Sequence, residues 1–163
     1  MKITNKILID GWNVCWKIPE IAANIPGNLH HARRTLNARI KIYFQHRQVM
    51  YKIIYDGQPG LGSHERLCEK GEIEFSNDPE KADHLIIRYL RKHADIFRWT
   101  VITSDIKLAR AARNLGAAII SAEDFIKKTS NRKSNIQTFK ENPNLSREEI
   151  EDWLNIFKKK DDA

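Results

Sequence analysis

The sequence predicts an α/β fold: a three-layer α/β/α arrangement around a mostly parallel sheet, followed by a C-terminal helix. Three observations carry that expectation. Apolar runs of strand length alternate with stretches of helical period, the order in which parallel strands and their crossover helices are laid down. Several of those runs stop at an aspartate. The chain, at 163 residues, suffices for one sizeable core and fits a single domain.

Residues 6–10 (KILID) read as the first strand, ending on Asp10 and a turn, Asp10-Gly11-x-Asn13. After a loop with Pro19 and Pro26-Gly27, Asn28 caps a helix whose apolar positions Leu29, Ala32, Leu36, Ile40 and Tyr43 recur at three and four. Residues 50–56 (MYKIIYD) form a second strand that stops at Asp56. Residues 57–71, with four glycines and a proline, read as a long loop of a length that is often functional. Residues 71–76 (GEIEFS) alternate Ile73 and Phe75 with Glu72 and Glu74, which suits a short or edge strand.

Asp78 and Pro79 then open a helix, as N-cap and first-turn proline, with Ala82, Leu85, Ile86, Tyr89 and Leu90 on its buried face. Residues 99–105 (WTVITSD) are the next strand, again ending on Asp. A helix from Ile106 to Leu115 closes at Gly116, a last strand spans 117–121, and AEDFIKK makes a short closing helix. Residues 1–128 are thus expected to form the main domain.

The polar stretch 129–144, interrupted by Pro143, reads as a linker or strap. Ser146 and Glu149 then form a capping box ahead of Ile150, Trp153, Leu154 and Phe157, an amphipathic helix expected to pack on the same domain.

The 28 Lys and Arg against 21 Asp and Glu leave a formal charge of +7, which favours a polyanionic partner. Cys15 and Cys68 lack the dense, even pattern of a secreted disulfide scaffold, so a reducing cytoplasm is the expected home. The apolar run Ile7–Ile9 is too short for a signal core or a spanning helix, so no membrane association is expected.

In an open parallel sheet, ligands bind outside the carboxyl ends of the strands. Asp10, Asp56 and Asp105 each stand at such an end, and Asp83 is expected at the fifth position of the helix that Pro79 starts. Four acids then share one rim in a chain of positive charge. Crowded like charges cost stability unless a cation neutralises them, and an all-oxygen set suits Mg²⁺ or Mn²⁺. Such an ion lowers the pKa of a bound water and clamps a phosphoryl oxygen. An acidic centre inside a basic shell is the electrostatic design of a metal-dependent nuclease.

Asp56 stands second in that set, because Asp-Gly is a common turn. Glu80, three residues before Asp83, is an outer candidate that also suits the helix's first turn. Asn13 is placed to bond an acid or a substrate phosphate, and Ser104 to donate to the same carboxylates. Each also has an ordinary reading, as turn residue or helix cap.

With Asp10-Gly11-x-Asn13, the E80-K-A-D83 helix and the T103-S-D105-x-x-L-A-R110 turn in place, the chain resembles a YacP-like NYN domain, of the PIN-like ribonucleases. The likeness runs on through A118-I-I-S-A-E-D-F125 and N144-L-S-x-E-E-I-x-x-W-L154, so it covers nearly the whole chain. It implies a PIN-like fold, divalent metal on clustered aspartates, and endonucleolytic hydrolysis of single-stranded RNA. By position, Asp10, Asp83 and Asp105 match the acidic centre and Asn13 the family's asparagine. Some relatives cleave messenger RNA on the ribosome, which makes the ribosome a candidate partner. Trp12 stands where such domains usually carry Tyr, keeping an aromatic. His84 stands where many carry a second consecutive Asp, removing one outer ligand.

On this reading Lys107 and Arg110 touch phosphates beside the cut, Arg66 and Lys70 in the long loop close over the strand, and Trp16 stacks on a base. Two rivals remain at this level: a non-catalytic RNA-binding module, and a phosphohydrolase acting on a small phosphate. The second needs a D-x-D nucleophile, which D10-G-W-N lacks.

Overall fold

The computed structural model describes residues 5–57, 64–77, 80–93 and 98–139. Its elements run β1 (Asn5–Asp10), α1 (Gly11–Lys17), α2 (Pro19–Ala22), α3 (Leu29–Phe44), β2 (Val49–Tyr55), β3 (His64–Arg66), β4 (Gly71–Phe75), α4 (Ala82–His93), β5 (Arg98–Ile102), α5 (Ile106–Asn114), β6 (Ala118–Ile120) and α6 (Ala122–Phe139). The chain divides into two compact units, Met1–Thr129 and Ser130–Ala163.

The six strands form one sheet in the order β3-β4-β2-β1-β5-β6. All pairings are parallel except β3 with β4. The expected α/β class with a mostly parallel sheet is therefore what the chain adopts. From β1 the chain winds outward through β2 to β4, then crosses back to β5 on the other side. That reversal puts the switch point, where open sheets bind ligands, at the carboxyl ends of β1 and β5.

Strand alternation feeds two cores. Leu8, Ile54, Val101 and Ile119 meet Leu85, Ile86 and Leu90 of α4 and Leu108 and Ala112 of α5. On the opposite face Ile7, Ile9, Ile53 and Tyr55 are buried, as are Leu36, Ile40 and Phe44 of α3. Phe44 stacks on Tyr51 of β2 at 4.9 Å and on Phe125 of α6 at 6.1 Å between ring centres, tying the two helices to the sheet. The predicted Asn28 cap is formed: its side chain accepts from the His31 N–H at 3.0 Å. Gly116 takes φ +89°, the left-handed conformation that ends α5.

Several elements differ from expectation, each for a physical reason. The turn and loop expected after Asp10 are two short helices, because Val14, Ile18 and Ile21 recur at helical spacing and bury a face. Within the long loop, His64–Arg66 pairs antiparallel with β4; all three side chains are exposed, so no apolar pattern announces the strand. Helix α4 starts at Ala82, not Pro79, so Asp83 is its second residue and Glu80 lies ahead of it. Strand β5 stops at Ile102, leaving Thr103 and Ser104 between it and Asp105. Helix α6 continues to Phe139 through residues read as linker, for no glycine or proline interrupts it. The Asp78-Pro79 cap and the capping-box helix beyond Ser146 lie outside the described residues. Among the described residues, no helix is long and apolar enough to cross a membrane.

Candidate active site

Asp10 ends β1 at the N-cap position of α1. The Thr103 hydroxyl donates to its Oδ2 at 3.2 Å. Burial pushes the Asp10 carboxyl up to about 6. Thr103 and the Asn13 N–H pull it back, while the charges of Asp56 and Asp105 raise it further. The tertiary structure thus brings Asp56 and Asp105 into electrostatic reach of Asp10.

Asp105 serves as N-cap of α5, its Oδ1 accepting from the Leu108 N–H at 2.9 Å. Its own N–H donates to the Thr103 hydroxyl oxygen at 3.1 Å. One buried threonine therefore links the two acids, accepting from one loop and donating to the other. Reading by residue type passed over Thr103; its only signal was its place in T103-S-D105.

Asp56 Oδ1 accepts from the Ala82 N–H at 2.7 Å, capping α4 from the end of β2. That contact sets the start of α4 beside the rim, with Asp83 next in sequence. The Asp83 carboxylate accepts from the His84 N–H at 2.8 Å, on its own helix. His84 is exposed. Glu80 pairs with Arg88 at 2.9 Å, a contact along its own segment. Asn13 Oδ1 accepts from the Ser104 N–H at 2.8 Å, so the asparagine orders the β5–α5 loop.

Lys107 and Arg110 are exposed on α5, whose first turn Asp105 caps. Trp16 is 56% exposed at the far end of α1, whereas Trp12 packs edge-on against Tyr55 at 5.2 Å.

Arg66 does not join the group. It sits on β3, three strands from β1, about 14 Å across the sheet. Its register partner is Glu72, which aligns through Lys52 with Leu8, two residues short of Asp10. Its guanidinium donates to the Cys68 and Glu69 carbonyls at 3.4 and 3.5 Å. Lys70 is also turned away, donating to the Arg47 carbonyl at 3.0 Å near the amino end of β2. The pairing of β3 with β4 fixes both, and a sequence that shows no strand there cannot reveal it.

Glu123 was not anticipated. At the start of α6 it accepts from the Ser104 hydroxyl and pairs with Lys17 at 2.9 Å. These two donors, Ser104 first, hold its carboxyl down at about 2.

The donor chemistry of the rim, carboxylate oxygens only, fits a hard divalent ion, and the charges of Asp56 and Asp105 both act on the buried Asp10. Among the described residues no three His, Cys, Asp or Glu side chains already converge on one point. Asp56 and Asp105 each commit one oxygen to a helix cap, and one Asp83 oxygen accepts from the His84 N–H.

Comparison with known proteins places this geometry in a family. Solved structures superpose on the chain, two of them of one protein. Rae1 (YacP) from Bacillus subtilis gives a TM-score of 0.69 at 21% identity, covering 100% of this chain and 96% of that one. Its W164L mutant gives 0.69 at 20%, covering 83% and 80%. At that identity the likeness shows the fold, which is PIN-like. No curated protein matches. The model of the YacP-like NYN domain matches residues 7–160, and the chain belongs to that family.

Proposed function

We propose that the chain is a metal-dependent endoribonuclease that hydrolyses phosphodiester bonds of single-stranded RNA. The observation that supports this best is Asp10, raised to about 6 at a sheet switch point and within reach of two further acids. Asp10, Asp83 and Asp105 would hold Mg²⁺ or Mn²⁺, with Asp56 contributing its remaining oxygen. Glu80 stays an outer candidate only if it leaves Arg88. When bound, the ion would lower the pKa of a water and neutralise charge on the scissile phosphate. Thr103 orients the Asp10 carboxylate, and Asn13 holds the loop that presents Asp105. Lys107 and Arg110 bind flanking phosphates, and Trp16 offers a face for a base. The products are a 5′-phosphate and a 3′-hydroxyl.

The test is cleavage of an end-labelled single-stranded RNA in Mg²⁺, Mn²⁺ or EDTA. Asp83→Asn is expected to abolish cutting and leave RNA binding largely intact; undiminished cutting by that variant would sink the reading. The basic track has its own check. Affinity should fall steeply with salt, and removing Lys107 or Arg110 should flatten the slope by about 0.7 for each phosphate of the single strand that is no longer neutralised.

A non-catalytic RNA-binding module is the second reading, favoured by the spread of the carboxylates among the described residues. RNA bound but uncut in either metal, with and without ribosomes to present it, would establish that reading instead.

A further inference from the structure

We infer that Glu123 is a positioning residue for the acidic rim, holding the loop that carries Asp105 by way of Ser104. The inference rests on the nuclease reading above.

Ser104 lies between the two residues that organise the acids. Before it, the Thr103 hydroxyl donates to Asp10; after it, Asp105 follows directly. The Ser104 N–H donates to Asn13 Oδ1 at 2.8 Å. The Ser104 hydroxyl oxygen accepts from the Ala122 N–H at 2.9 Å and its proton goes to Glu123 Oε2. Glu123 Oε1 then accepts from Lys17 Nζ at 2.9 Å. Lys17 lies four residues after Asn13, on the same face of α1. The contacts form a closed ring: α1 holds the loop directly through Asn13, and again through Lys17 and Glu123.

The ring joins the segments that follow three neighbouring parallel strands, β1, β5 and β6. Glu123 is its one charged acceptor. Without that acceptor the Ser104 hydroxyl loses its orientation and Lys17 its partner, while Asn13, the Ala122 N–H and the bond from the Thr103 N–H to the Ile120 carbonyl still hold the loop. Because Thr103 binds both Asp10 and the Asp105 N–H, a shift of this loop moves Asp105 and disturbs the bond that orients the Asp10 carboxylate. Displacements of this kind affect the reacting geometry far more than they affect folding. The Lys17–Glu123 pair is about half exposed, so it contributes little to stability of its own.

The experiment compares wild type, Glu123→Ala and Glu123→Gln as full-length chains. Gln keeps a carbonyl oxygen that accepts from Ser104. The expected result is a kcat about tenfold lower for Glu123→Ala with KM unchanged, and recovery of most of that loss in Glu123→Gln. Wild-type kcat in Glu123→Ala, or equal impairment of both variants, would overturn the inference. Calorimetric titration with Mn²⁺ on the same proteins gives a readout independent of cutting. Should wild type cut no RNA, the nuclease reading fails, and this titration decides alone. Weaker Mn²⁺ binding in Glu123→Ala than in wild type and Glu123→Gln upholds the positioning role, and equal binding overturns it. A wild type that neither cuts RNA nor binds Mn²⁺ overturns both readings.

Discussion

Replacing Asp10 with Asn is expected to give a protein that no longer cuts RNA and yet melts at a higher temperature in EDTA at pH 7.5. The carboxyl is raised from 3.8 to about 6 by burial and by the fields of Asp56 and Asp105. Below about pH 4 it is protonated in both folded and unfolded chains, and folding is indifferent to it. Between 4 and 6 the folded chain keeps a proton that the unfolded chain releases, so stability falls as pH rises. Above 6 the full cost applies, about 3 kcal/mol for a shift of roughly two units. Asn carries no charge and escapes that cost, less the weakened bond from Thr103. A net gain of about 1 to 3 kcal/mol is expected at pH 7.5, shrinking towards zero by pH 4. Melting curves across that range check it, and a variant less stable than wild type at pH 7.5 would refute it. Saturating Mn²⁺ should close the gap by stabilising wild type, by about 2.7 kcal/mol at one hundred times its Kd, while leaving the Asn variant little changed.

The second large effect is expected at Gly57. A Cβ there would stand 1.7 Å from the Ser76 carbonyl oxygen, a backbone atom that cannot swing away. Here the ends of β2 and β4 are locked together: the Ser76 N–H donates to the Tyr55 carbonyl at 2.9 Å, and the Gly57 N–H to the Ser76 hydroxyl at 3.1 Å. Gly57→Ala must separate these segments, at about 1 to 3 kcal/mol for overpacking. Moving Asp56 also removes the cap of α4, worth about 1 kcal/mol more. The urea midpoint should fall accordingly, and activity with it, since Asp83 stands in the first turn of the uncapped helix. Gly27→Ala is the control. Its Cβ meets nothing within 4 Å, so that variant should be as stable as wild type or slightly more so. Equal midpoints for the two variants would show that the β2–β4 junction has room to give.

Much of the architecture was legible because its signals are local. Ile7–Ile9, Ile53–Tyr55 and Val101–Ile102 are continuous apolar runs, which is how strands covered on both faces read. Asn28 and Gly116 act within a turn of their own helix, so their roles could be read directly. Helix α1 was not legible in the same way. Asp10-Gly11-x-Asn13 has turn chemistry, and only the burial of Val14 and Cys15 makes the segment helical. Gly11 in particular is required by a distant residue: a Cβ there would stand 2.3 Å from the Tyr55 ring. Strand β3 forms because β4 offers it an edge, and its exposed side chains carry no trace of that.

The sequence by itself determined that acids would stand at the carboxyl ends of parallel strands, because alternation and run length place strand ends without reference to the rest of the chain. Only the tertiary structure decided what each acid does there. Asp56 caps a helix that begins 26 positions later, Asp10 is held by a threonine 93 positions away, and Glu123 is engaged by Ser104 and Lys17. Those assignments depend on which N–H and O–H groups folding brings within hydrogen-bond distance. Such groups are present in every stretch of chain, so their pairing leaves no mark on residue type or spacing.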